Sequence, residues 1–129
     1  DLILPVWSKR ADVCWFAFPL TYDGDRGKLT AHLESNGIET RSMFSGNICA
    51  HPAYRDTKYR ISGKLDGADF ILEHSFWVSC HPSLTQKDRE YMVEVFNSFF
   101  CALVNSTFSI LSHFIKESVI LLNSGIHSA

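Results

Sequence analysis

A helix stop, a short strand and a long aperiodic loop follow one another from Asn36 onward, and this succession constrains the fold more than any other stretch. Arg26 to Ser35 carries Leu29 and Leu33 at i and i+4, the spacing of a helix with one face turned to a core. Asn36-Gly37 then supplies the residue pair that ends helices, because glycine enters the left-handed region without steric cost. Ile38 to Ser42 reads as a short strand. From Met43 to Gly63 no period appears. A long irregular segment inside a compact domain is uncommon and is usually functional or mobile.

The flanking sequence predicts what this unit packs against. Val13 to Thr21, VCWFAFPLT, is apolar, aromatic and too short for a buried helix, so a core strand is expected. Pro19 cannot donate to a ladder and should lie at an edge or near that strand's end. Tyr22-Asp23-Gly24-Asp25 is a turn, and Asp25 is the expected cap of the helix after it. Leu65 to His74 predicts a second helix, with Leu65, Ala68, Ile71 and Leu72 inward and Asp66, Asp69 and Glu73 outward. Ser75 to Ser79 predicts a third strand, and His81 to Leu84 its exit loop. Thr85 with Asp88 three residues on resembles a capping box. The helix it starts has Tyr91, Val95 and Phe99 on one face, with Met92 and Phe96 beside them. The order strand, helix, strand, loop, helix, strand, helix predicts an α+β domain: a small mixed or antiparallel sheet with helices packed on it.

Residues 1–100 are expected to form that domain, and residues 101–129 a separate tail. The tail is rich in Ser, Leu, Ile and Phe, with Lys116 and Glu117 its only charged residues. Asn105, Ser106, His113, Lys116 and Glu117 interrupt its apolar run, which argues against a membrane span and for a helical extension or a disordered tail. A net charge of -2 gives no electrostatic case for nucleic acid or an anionic membrane. Cys14, Cys49, Cys80 and Cys101 form no CxxC pair, so no zinc or iron–sulfur motif is expected; isolated cysteines point to a reducing cytoplasm, with disulfides the alternative that an even count leaves open. The chain opens on Asp1-Leu2-Ile3-Leu4-Pro5 without a signal pattern and reads as a fragment of a longer protein.

Several residues carry binding groups. Arg41 could clamp a phosphate or carboxylate with its guanidinium fork, or be a surface arginine paired with Glu39 or Asp56. Asn47, His51 and Tyr54, with Phe44 near them, offer amide, imidazole and phenol beside an aromatic wall, or simply satisfy their own loop. Side chains alternate along a strand, so only one of Phe76 and Trp77 can face the core. His32, His74, His113 and His127 lack ligand spacing. No Ser-His-Asp or Cys-His set, glycine-rich phosphate loop or apolar-pocketed lysine stands out. Binding groups are present without a catalytic engine.

Five separated blocks resemble the C-terminal small domain of the DegT/DnrJ/StrS sugar aminotransferase family, in order and spacing. They are WFAFPLT (Trp15 to Thr21), NGIETR (Asn36 to Arg41), MFSGN (Met43 to Asn47), HPAY (His51 to Tyr54), and FW with PSLT (Phe76 to Thr85). Within the family the blocks are most similar to the nucleotide-sugar 3-dehydrases of lipopolysaccharide biosynthesis, which act on CDP-4-keto-6-deoxyglucose. The resemblance covers roughly Leu4 to Phe100. It implies a dimeric enzyme with pyridoxal or pyridoxamine phosphate held mainly by a large domain that this chain lacks. That domain also carries the Schiff-base lysine, or the histidine that replaces it in 3-dehydrases. The implied chemistry is loss of the sugar's C3 hydroxyl with the cofactor as electron sink. The small domain would close over the cleft and seat the nucleotide-sugar, inactive alone, with no catalytic residue of its own. Arg41, Phe44, Asn47 and His51 are then the expected substrate-facing residues, with Phe76 and Trp77 behind them. A small domain of a sugar aminotransferase and a stand-alone binding module remain as alternatives. His51 stands where many relatives have glutamine, and the four cysteines do not reproduce the iron–sulfur motif of some 3-dehydrases.

Overall fold

A computed structural model describes residues 1–103. Four strands, β1 (Leu2–Ile3), β2 (Phe18–Tyr22), β3 (Thr40–Ser42) and β4 (Ser75–Val78), form one sheet in the order β1-β2-β4-β3. Every neighbouring pair is antiparallel. Three helices accompany it: α1 (Arg26–Ser35), α2 (Asp66–His74) and α3 (Gln86–Leu103). The fold is α+β, as the order of periodic segments predicts. The expected tail of residues 101–129 begins inside α3, and from 104 onward it lies outside the described residues.

Register separates the two faces of the sheet. Phe18 pairs with Val78 and Leu20 with Phe76, and all four point to the side where Leu29 and Leu33 of α1 meet Val95 and Phe96 of α3. Phe76, Leu29 and Leu33 are the largest fully buried side chains. Burial of each removes enough apolar surface from water to contribute roughly 1.5–3 kcal/mol. The row Pro19–Trp77–Arg41 runs across the same strands on the opposite face.

Helix α1 has the predicted bounds, and its ends show why. Asp25 accepts the Lys28 N–H at 3.0 Å, occupying a donor that has no partner inside the helix. At the other end Gly37 donates to Glu34 C=O and Ile38 donates to Leu33 C=O, with Gly37 at φ 77°. This is a Schellman closure, and its apolar pair, Leu33 and Ile38, is buried in the core. Thr85 and Asp88 bond reciprocally at the start of α3: the Thr85 N–H and hydroxyl both reach Asp88 Oδ2 at 2.7 Å.

Other expectations shift. The apolar run from Val13 yields a strand only from Phe18, and Val13 to Ala17 is irregular. Those residues pack through rings instead of a ladder: Trp15 meets Trp7 and Phe18 edge-on at 5.9 and 5.7 Å. Pro19 is the second residue of β2, beyond the part that β1 covers, so its missing N–H costs no ladder bond on that side. Strand β1 was not expected, since two residues show no period. Strand β3 starts at Thr40, because Ile38 is spent closing α1. Ile71, expected to face inward, is exposed, and so is Tyr91, which shares a helix face with buried Val95. Helix α2 has no fully buried residue, and the Tyr91 hydroxyl donates to Asn36 C=O at 3.0 Å. Val93 takes a buried place that the helical pattern did not give it.

Candidate functional site

The aperiodic segment leaves β3 through a tight, strained corner. Gly46 N–H donates to Met43 C=O, and Phe44 sits at φ 43°, the one non-glycine residue with positive φ among the described residues. A bulky residue there is uncommon and persists only where its surroundings over-determine it. Two contacts do so. Gly46 lies so close to α2 that a Cβ would come within 2.5 Å of Leu72 Cα. Asn47 is buried, its Nδ2 donating to Asp69 of α2 at 2.6 Å and its Oδ1 accepting from Cys49 N–H. The corner is thus clasped to α2 on one side. On the other, Phe44 projects, 78% exposed, with its ring edge-on to Trp77 at a centroid distance of 4.6 Å.

Trp77 is the centre of a small groove on the face away from α1 and α3. Phe16 stands against it at 6.0 Å and 75°, and Glu39 and Arg41 supply the polar side, with Ala17, Val78 and Ser79 completing the lining. The groove measures about 210 Å³. Arg41 donates from Nε and Nη2 to the same oxygen of Glu39, at 3.0 and 2.9 Å. Both side chains are largely exposed, so the pair is screened and adds little to stability.

Arg41, Phe44 and Trp77 therefore come together, and three other expected residues stand apart from them. Phe76, 1% exposed, belongs to the core and supports Trp77's strand from beneath. Asn47 spends its amide on the clasp. His51 is exposed, its Nδ1 accepting from Ala53 N–H to cap the 3₁₀ turn Pro52–Tyr54, and its ring lies 6.0 Å from that of Tyr54. The strand alternation left open which aromatic turns outward; it is Trp77. Phe16 and Glu39 were not singled out as site residues. Glu39 lies two residues before Arg41, so the period-2 rule carries its signal, whereas Phe16, two residues before core-facing Phe18, would share the core face of a strand and turns outward only because Val13 to Ala17 is irregular.

Other polar groups serve the frame. His32 Nε2 bonds Val95 C=O and Ser98 Oγ at 3.1 and 3.0 Å, tying α1 to α3, and His74 Nδ1 bonds Tyr22 C=O. Arg26 Nη1 donates to Leu72 and Ser75 carbonyls, both at 3.0 Å, closing the end of α2. Burial pushes the Cys80 thiol up from its ordinary value, with nearby Cys14 adding to the shift. Among the described residues no His, Cys, Asp and Glu group is placed to hold a metal ion, and no helix is long and apolar enough to cross a membrane.

The chain matches known proteins over this same region. The family model of the DegT/DnrJ/EryC1/StrS aminotransferases covers residues 2–97. The chain is 38% identical over 102 residues to the dTDP-4-dehydro-2,6-dideoxy-D-glucose 3-dehydratase of Saccharopolyspora spinosa, covering 76% of this chain and 22% of that protein. It is 35% identical over 103 residues to the lipopolysaccharide biosynthesis protein RfbH of Salmonella typhimurium, covering 77% and 24%. A DegT DnrJ EryC1 StrS aminotransferase from Brucella abortus has the same fold, with a TM-score of 0.67 at 19% identity over 76% of this chain and 26% of that one. The chain thus spans about a quarter of the length of these proteins. With a family model matched across the whole sheet, α1, α2 and most of α3, the chain belongs to the DegT/DnrJ/EryC1/StrS aminotransferase family.

Proposed function

We propose that this chain is the substrate-side lid of a nucleotide-sugar 3-dehydrase that removes the C3 hydroxyl from a CDP-4-keto-6-deoxyhexose. It works in the cytoplasm against a large domain and a second subunit. The observation that carries this is the convergence of Phe44, Trp77 and Arg41 at a corner held in strained geometry. Strain of this kind is retained where a side chain must be presented outward. The relative at 38% identity, a 3-dehydratase of a dTDP-linked keto sugar, supports dehydration as the reaction class, and the one at 35%, a lipopolysaccharide biosynthesis protein, supports the pathway class.

No lysine among the described residues fits a Schiff-base role toward pyridoxal phosphate. Lys9, Lys28, Lys58, Lys64 and Lys87 are all exposed, whereas a Schiff-base lysine needs a desolvated setting. On this reading the cofactor is held mainly by the part of a relative-like enzyme outside this chain. What this chain's residues do is bind, orient and exclude water. The rings of Phe44 and Trp77 present apolar surface to the substrate, and Arg41 supplies donors at the rim. Holding a substrate in reactive geometry can itself remove several kcal/mol of barrier.

The test is complementation. The full chain is mixed with the large-domain portion of the Saccharopolyspora relative, pyridoxamine phosphate and the 4-keto sugar nucleotide, and products are resolved by mass spectrometry. A 3-deoxy product that forms only with both polypeptides supports the reading. An amino sugar would indicate a transaminase, and a folded chain that neither associates nor restores turnover would indicate a separate binding module.

A further inference from the structure

We infer that the groove walled by Phe16, Trp77, Glu39 and Arg41 is a nucleobase subsite, which takes the base of the nucleotide-sugar and leaves the diphosphate and sugar to other surfaces. This rests on the nucleotide-sugar reading above and goes beyond it by assigning which part of the ligand lies where.

Size is the first argument. At about 210 Å³ the groove is smaller than the roughly 300–1,000 Å³ of sites that enclose a whole drug-sized ligand. One planar ring system fits it, and a complete nucleotide-sugar does not. Shape is the second. The rings of Phe16 and Trp77 meet at 75°, so a flat heterocycle can lie on one face while its edge meets the other. Phe16 is 88% exposed, an apolar surface for which the fold itself provides no cover. Aromatic side chains of this kind bind bases by stacking, whichever base is presented.

Charge is the third argument, and it separates the base from the phosphates. Arg41 would attract an anion if it stood alone. Instead Glu39 Oε1 receives both Nε and Nη2, so the rim carries no net charge. Glu39 Oε2 and Arg41 Nη1 make no hydrogen bond among the described residues, which leaves one acceptor beside one donor. A nucleobase edge offers the complement, an N–H next to a carbonyl oxygen or ring nitrogen. A diphosphate offers acceptors only, and Glu39 would repel it. The small volume favours a one-ring pyrimidine over a purine.

The experiment is a titration of the full chain with CMP, dTMP and GMP, with ribose 5-phosphate and inorganic phosphate as controls, followed by NMR at the Trp77 indole N–H and the Phe16 amide. Saturable shifts at both positions with CMP or dTMP, weaker with GMP and absent with the controls, are expected. Phe16→Ala, at an exposed position that leaves the core untouched, should weaken pyrimidine binding about five-fold or more. Glu39→Gln, which replaces an acceptor-only group with a mixed one, should change the ratio of CMP to dTMP affinity. Shifts from ribose 5-phosphate equal to those from CMP would overturn the inference in favour of an anion site on Arg41. Silence at Trp77 with millimolar nucleotide would overturn it as well. The two readings fail separately. Turnover in the complementation assay that is unchanged by Phe16→Ala and Glu39→Gln keeps the lid and removes the base subsite. Pyrimidine binding without any turnover keeps the subsite and removes the lid.

Discussion

Phe44, Gly46 and Asn47 do different work within four residues. Phe44 holds an unfavourable backbone angle and faces solvent, Gly46 allows the chain to touch α2, and Asn47 fastens it there. The three are coupled, because a relaxed Phe44 would have to move Gly46 off Leu72. Gly46→Ala tests this. Its methyl group would meet the Leu72 backbone, which has no flexible end to move aside, and at φ 54° it would also strain its own residue. Overpacking of this kind costs about 1–3 kcal/mol. Urea unfolding should show that loss, and the Phe44–Trp77 ring contact should disappear from NMR spectra. A variant as stable as the parent, with the contact intact, would mean that the clasp does not set the corner. The sequence block MFSGN marked this spot as special but could not say how. Asn47 reads as a ligand-binding amide until Asp69, twenty-two residues on, is seen to take it.

At the scale of elements, helix ends were the most legible part of the fold. Asp25, Asn36-Gly37 and the Thr85/Asp88 pair act through bonds a few residues away, so local sequence contains both partners. Arg26 was not legible, since its carbonyl partners at Leu72 and Ser75 lie forty-six and forty-nine residues away. Arg26→Met should cost about 2 kcal/mol in chemical denaturation by leaving two carbonyls at the end of α2 without their charged donor. The caps also predict acid behaviour. Asp25 is held below its ordinary value of 3.8 first by the Lys28 N–H, and Asp88 likewise first by the Thr85 hydroxyl. A carboxyl lowered on folding stabilises above its unfolded value and loses that contribution as pH falls through the lowered one. Helicity by circular dichroism should therefore hold at neutral pH and begin to fall below about pH 3.8. In the double variant Asp25→Asn, Asp88→Asn that slope should flatten, and an unchanged slope would place the acid sensitivity elsewhere.

For the molecule as a whole, the division of the sheet explains both stability and site. One face carries Phe18, Leu20, Phe76 and Val78 into a core with α1 and α3, and the other presents Trp77 and Arg41. Alternation within a strand foretold that Phe76 and Trp77 would part company, yet not which would turn outward. That choice depends on pairing with β2, where Leu20 and Phe76 align over Leu29 and Leu33. The groove was less legible than the core for the same reason. Its walls come from the approach to β2, from β3 and from β4, and Phe16, Glu39 and Trp77 meet only when those strands align. The exposed apolar surface of Phe16 and Phe44 is large for so small a domain, and a partner surface or ligand is the usual cover for such residues.

The most direct measurement is turnover by a chimera in which this chain replaces the matching segment of the Saccharopolyspora 3-dehydratase. The lid account predicts measurable C3 dehydration, with Phe44→Ala and Trp77→Leu each lowering kcat/KM by about ten-fold or more while the chimera stays folded and cofactor-bound. Turnover that both substitutions leave unchanged would contradict it.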